Sequence, residues 1–199
     1  LTSPSSVIIP QSVKTIEAKA FYECDKLTQV NIPQSVITIE TKAFYGCAKL
    51  AQIYTGKSVE TIPESCFEGC SALENVTLGD KTKQINAAAF KGCSRITQIH
   101  SHATTPPTCY NSSVFDSNVY QDADVYVPNA NNALAAYKTA NVWKNFYVFC
   151  VEDITGVNAP HTSTNVPASL INLNAQYISN AQRGVNLQKM PDGTTKKVL

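Results

Sequence analysis

The chain has 199 residues, one or two domains' worth, with 43% hydrophobic and 16% charged residues, a balance that excludes intrinsic disorder. Its net charge of +1 argues against an electrostatic nucleic-acid binder, which needs a basic stripe, and against a polybasic membrane anchor. No apolar run reaches the roughly 18 residues needed for a membrane-spanning helix.

In chain order, Val7, Ile9 and Pro10 come first as a partial unit. A complete one follows from Val13 to Pro33, VKTIEAKAFYECDKLTQVNIP. Its AFYEC segment returns as AFYGC, CFEGC and AFKGC, so Phe21, Phe44, Phe67 and Phe90 recur at one constant interval. Cys24, Cys47, Cys70 and Cys93 keep the same interval. A fixed period of roughly two dozen residues is the signature of a solenoid, whose short units bury their apolar columns only by stacking. The eight Phe and Cys residues are therefore expected to be core columns. Leu27, Val30 and Ile32 alternate as a half-buried strand does, which predicts a parallel ladder with rungs about 4.8 Å apart. Ala20 to Cys24 carries apolar residues at i, i+1 and i+4, the spacing of a single helical turn. Pro10, Pro33, Gly56 and Gly79 occupy one position and end each strand.

Two columns of strand residues are expected to point outward. One is Ser6, Gln29, Gln52, Asn75 and Gln98, almost an amide ladder able to hydrogen-bond along the column. The other is Ile8, Asn31, Tyr54, Thr77 and His100. From these, Gln29, Asn31, Gln52, Tyr54, Asn75, Thr77, Gln98 and His100 are the candidate binding strip, for a protein or sugar surface. The plain alternative is that they form the solvated side of a sheet.

Regularity stops at His102 to Phe115, which reads as a Pro-Pro loop. Ala123 to Pro128 restores the strand pattern, with Val125 and Val127 in the places of Val30 and Ile32. Asn129 to Ala140 is helix-forming behind an Asn-rich start that can cap it. YVFCVED reads as another strand, with Val148 one repeat period after Val125. The domain reading is repeats over 1–101, modified capping repeats over 102–153, a linker over 154–167 and a small β tail over 168–199. The tail's strand candidates, Val185–Met190 and Thr194–Leu199, flank a Pro191-Asp192-Gly193 turn.

Evidence for chemistry is thin. Column cysteines read as small buried hydrophobes, and Cys66 sits in a column otherwise held by Ala20, Ala43 and Ala89. Cys109 and Cys150 lie outside the repeats and can be paired or free. His100 and His102 need further ligands to hold a metal, with Asp80 the one candidate, so no metal site is expected. Asp116, Asn118, Asp122 and Asp124 lack the glycine and glutamate of an EF-hand. Without a triad, a phosphate loop or a cofactor motif, the sequence gives no case for an enzyme and implies no cofactor.

The run A-F-x-x-C-x-x-L-x-x-V-x-I-P, Ala20 to Pro33, resembles the BspA-like leucine-rich repeat family, over residues 1–101. The resemblance implies an α/β fold, a right-handed leucine-rich-repeat solenoid with a parallel β ladder and short helical turns. A-T-T-P-P-T-C, V-Y-V-P and W-K-N-F are similar to a C-terminal element common in this family. INLNAQ, NAQRGVN and DGTTKKVL in the tail are similar to C-terminal secretion and sorting tails of surface proteins from Gram-negative anaerobes, although Val185 and Asn186 replace the usual aromatic after Gly184. The resemblance implies a secreted or outer cell-surface protein with a protein partner. Its role would be adhesion to host extracellular matrix or to other cells. A glycan-binding module and a structural spacer are the alternatives.

Overall fold

The computed structural model describes residues 5–152 and the backbone of four short strands beyond them. Seven rungs build one parallel ladder in chain order: Ser6–Ile8, Gln29–Asn31, Gln52–Tyr54, Asn75–Leu78, Gln98–Ser101, Asp124–Pro128 and Val148–Glu152. The inward residue of each repeat strand after the first, Val30, Ile53, Val76 and Ile99, is buried, whereas Val7 in the first is only partly so; its two neighbours project from the opposite face, as the period of two requires.

A second wall of short parallel strands, in two separate sheets, is not separable in the sequence. Thr15–Ile16 pairs with Thr38–Ile39, and Thr61–Ile62, Gln84–Ile85 and Thr108–Cys109 pair in turn. Two-residue strands are too short to show alternation, so Ile16, Ile39, Ile62 and Ile85 read only as a core column.

The third wall corrects the expected helical turn at Ala20–Cys24. Ala20, Tyr22 and Cys24 donate their N–H groups to the carbonyls of Glu17, Lys19 and Phe21, three residues back. The alternate residues, Lys19, Phe21 and Glu23, donate instead to Thr41, Ala43 and Tyr45 of the next unit. Left-handed backbone at Lys19 (φ 60°) and Glu23 (φ 53°) reverses the chain between these bonds, which an α-helix cannot do. Later copies place Gly46, Gly69 and Gly92 at the second of these positions, with φ of 70°, 78° and 76°, where any Cβ costs about 1–2 kcal/mol.

Phe44, Phe67 and Phe90 are fully buried and stack at 5.3 Å between ring centroids. Phe21 and Cys24, in the first complete unit, are only half-buried. Cys47, Cys70 and Cys93 donate S–H to the carbonyls of Phe21, Phe44 and Phe67 at 3.1, 3.2 and 3.0 Å. These bonds tie each thiol to the preceding unit. The contact with Cys70 and then burial push the Cys47 thiol well up. All seven cysteines are free, and Cys109 and Cys150 lie in different sheets, so the disulfide the sequence leaves open is not formed.

Residues 102–115 are not simply a loop. Cys109 pairs with Ile85, Phe115 with Phe90, and Val125 with Ile99. Each of these pairings reaches one residue further along the chain than the one before it, so the period lengthens at every wall. Phe115 nonetheless extends the stack at 5.3 Å from Phe90. The last rung corrects a register. Val125 faces Phe149 rather than Val148; a one-residue shift exchanges the faces, so Phe149 is buried and Val148 only partly. Asn131 and Asn132 adopt left-handed backbone (φ 49° and 58°) ahead of the helix Ala133–Thr139, and Asn132 makes no side-chain cap. Trp143 donates its indole N–H to the Pro107 carbonyl at 2.7 Å, and the Tyr137 hydroxyl donates to the Ala103 carbonyl at 2.9 Å. These bonds seal the end of the core.

In the tail, Asn186–Lys189 pairs antiparallel with Thr195–Val198, the two strands expected around Pro191-Asp192-Gly193. The linker expected over 154–167 and the sorting-tail motifs fall largely outside the described residues.

Removing Phe67 should leave a cavity inside a closed stack. Phe67→Ala is expected to cost about 3–5 kcal/mol in urea unfolding, and Phe21→Ala distinctly less. Timed alkylation of native protein should label Cys24 first, with the six buried thiols protected until unfolding.

Candidate functional site

The parallel register places the predicted strip residues side by side. Gln29, Gln52, Asn75 and Gln98 form one row, which Asp124 extends. Asn31, Tyr54, Thr77 and His100 form the next, which Tyr126 extends. Gln29 and Asn31 are exposed; the other six candidates are half-buried. The ladder of amide hydrogen bonds anticipated along the first row is not formed. Among the described residues the side chains of Gln29, Gln52, Asn75 and Gln98 carry no hydrogen bond to one another or to any other group. Their donors and acceptors face outward unspent.

At the far end of the strip the character changes. The His100 ring stacks on Tyr126 at 4.2 Å, and His100 Nδ1 lies 2.9 Å from Glu152 Oε2. His102 Nε2 lies 3.9 Å from Glu152 Oε1. Two residues past the Tyr126–His100 pair, His102 falls in line with Pro128 and with Glu152, the partner of Pro128. Proline puts no polar group between them. Tyr54 leans toward His102, with ring centroids 6.4 Å apart and planes at 46°. The intervening strand offers Thr77 and then Gly79, where a Cβ would come within 2.1 Å of the Gly56 carbonyl oxygen. Bare backbone therefore lies beside the tyrosine.

Sequence reasoning misses Glu152. It stands 52 residues from His100, and its only signal is the strand likeness of YVFCVED to the repeats. Asp80, the ligand considered for the two histidines, bears instead on Tyr54: together with burial, which contributes more, it raises the Tyr54 phenol. Among the described residues no group of His, Cys, Asp and Glu is arranged to hold a metal ion. Asp116 accepts from the Gly92 N–H at 3.1 Å, and Asn118 donates to the Ser94 carbonyl at 2.8 Å and to Asp122 at 3.2 Å. The Asp116 and Asn118 bonds to Gly92 and Ser94 tie the modified unit to its neighbour.

Burial, then Asp124 and Glu152, push the Cys150 thiol up to about 12. Burial alone takes Cys109 to about 12. Burial also raises Tyr126, with Cys150, Asp124 and Glu152 adding to it. Each group keeps in the folded state a proton that the unfolded chain releases, from about 9 for a thiol. Stability present below that pH is therefore lost as pH rises toward about 12. Thermal melts followed by circular dichroism should fall steadily over this window, and Cys150→Ala should flatten the fall.

A family model described as BspA type Leucine rich repeat region matches residues 2–119, in 6 copies. Five strands of the main ladder, Ser6–Ile8 through Gln98–Ser101, fall within the matched residues. The crystal structure of a leucine rich cell surface protein from Faecalibacterium prausnitzii is similar, at 26% identity and TM-score 0.58, over 70% of this chain and 35% of that one. A leucine-rich repeat protein from Bacteroides ovatus is similar at 26% identity and TM-score 0.55, over 75% of this chain and 40% of that one. The chain thus spans less than half the length of either. A search of curated proteins returned no sequence match. The family match covers more than half of the chain, carries the columns that build both strand walls, and places the protein in the BspA-type leucine-rich repeat family.

Proposed function

We propose that the protein is a cell-surface or secreted adhesion module. The open face of its first sheet would hold a macromolecule, such as a host matrix protein or a component of another cell's surface. The observation that carries this reading is the pair of in-register rows from Gln29 to Gln98 and from Asn31 to His100, with the amides of the first row left without partners. A surface location fits the resemblance of the tail motifs to sorting tails and the cell-surface description of the Faecalibacterium relative. No described helix is long and apolar enough to cross a membrane.

Such a face works by summation. Each rung repeats nearly the same groups about 4.8 Å further on, so a ligand that is itself repetitive or extended meets several equivalent contacts at once. Weak contacts joined in one frame add through effective concentration, without a dominant anchor. Tyr54 is the aromatic best placed to contribute more than its neighbours. A structural spacer, the plain alternative, would leave the face without a ligand.

Binding is to be measured on an immobilised panel of matrix proteins and whole bacterial cells. Saturable binding is expected, weakened at least about tenfold by Gln52→Glu combined with Tyr54→Ala. It should change little with added salt, since neither row from Gln29 to His100 contains Lys, Arg, Asp or Glu whose attraction for a ligand salt could screen. Wild-type binding that the double variant leaves intact would place the contact elsewhere on the molecule.

A further inference from the structure

We infer that the ligand read by this face is a neutral glycan, its pyranose rings lying on Tyr54 and its hydroxyls held by Gln52 and Asn75. The inference rests on the reading that the open face is the binding face, and goes on to name the ligand's chemistry.

Three observations lead there. The first is the unspent amide row. Burying Gln29, Gln52, Asn75 or Gln98 under a partner without matching hydrogen bonds carries the desolvation penalty of each group left unsatisfied. Every amide presents donors and an acceptor together. A sugar hydroxyl, which both donates and accepts, satisfies either part without a fixed register. A protein surface matches such a row only if it happens to present alternating groups at rung spacing.

The second is what the strip lacks. Protein interfaces draw their affinity from a desolvated apolar centre with aromatic and arginine anchors. Between Gln29 and His100 the two rows offer one aromatic side chain besides the terminal histidine, Tyr54, and no arginine. They also contain no lysine, so sulfated or carboxylated sugars would find no counter-charge in either row. Asp124 extends the amide row, and Glu152 faces His100 at the far end. An uncharged polyol is the complement of this surface.

The third is the setting of Tyr54. Its ring is tilted against His102, and its row neighbours, Asn31 and Thr77, are smaller. Beside it run Gly56 and Gly79, the latter excluded from carrying a side chain by the 2.1 Å approach to the Gly56 carbonyl. The ring therefore stands above a step of bare backbone, flanked by the Gln52 and Asn75 amides of the adjacent row. Apolar ring face and hydroxyl-binding groups are brought together, the two surfaces that a pyranose also presents.

The test uses the whole 199-residue chain on an array of uncharged, sulfated and sialylated oligosaccharides. A mucin, before and after chemical deglycosylation, is run beside it. Saturable binding to uncharged oligosaccharides and to intact mucin is expected, lost on deglycosylation. Tyr54→Ala and Gln52→Ala/Asn75→Ala should each weaken it at least about tenfold, with melting temperatures checked to be unchanged. Tyr22→Ala, which alters a tyrosine stacked on Tyr45 in the turn wall, should leave it intact. Mucin binding that survives deglycosylation but falls with Gln52→Glu/Tyr54→Ala would overturn the glycan inference while keeping the face as a protein-binding surface. A preference for sulfated or sialylated probes would also overturn it. An array silent to uncharged sugars overturns the inference, and silence toward the matrix and cell panel as well overturns the adhesion reading with it.

Discussion

The structure depends on a single backbone requirement. Every unit must spend half of the N–H groups in its turn wall on the next unit, and half on itself. Lys19, Phe21 and Glu23 donate forward, whereas Ala20, Tyr22 and Cys24 close local turns. Buried backbone donors are seldom left unpaired, so the alternation fixes the pitch at which units stack. That pitch in turn brings the phenylalanine rings to 5.0–5.3 Å and nearly parallel. It also brings each column thiol within reach of the preceding Phe carbonyl. Ring stacking and thiol bonds follow from the backbone arrangement and reinforce it.

This explains which parts of the fold can be read from the chain and which cannot. The Phe, Cys and strand columns are legible because their side chains recur at a constant interval. Lys19, Lys42, Ser65 and Ala88 share a left-handed backbone but no side-chain type, so the reversal that replaces the helical turn leaves no mark in composition. Beyond residue 101 the period drifts by one residue at each wall. Phe115 consequently reads as part of a loop although it continues the stack. The last rung shows the same difficulty in another form: equal spacing from Val125 selects Val148, but burial selects Phe149.

The site divides along the same line. Strip residues are legible because outward positions in a ladder follow directly from inward ones. Their lack of mutual hydrogen bonds is not, since an amide at rung spacing can bond its neighbour or stay free, and spacing alone does not decide. Glu152 is invisible as a partner of His100 because it depends on two successive irregular units delivering it to the correct side. Cys150 and Glu152 are two residues apart and project from the same face. The residue that pairs with His100 thus belongs to the capping region, while His100 itself belongs to the last regular strand.

That arrangement gives the open face two regions of different stiffness. From Gln29 to Gln98 the outward groups are held only by their backbones and retain rotamer freedom, which any ligand must restrict at a cost of roughly 1–2 kcal/mol for each long side chain. From His100 to Glu152 the groups are already fixed by ring stacking and a 2.9 Å hydrogen bond. Tyr54, in the row of Asn31 and Thr77, links the two regions because its ring leans on His102. A ligand reaching across this boundary gains its best-ordered contact at Tyr54 and progressively less toward Gln29. Affinity should therefore be concentrated near the capped end, even though the candidate groups are spread over four strands, and extra rungs would add reach faster than they add strength.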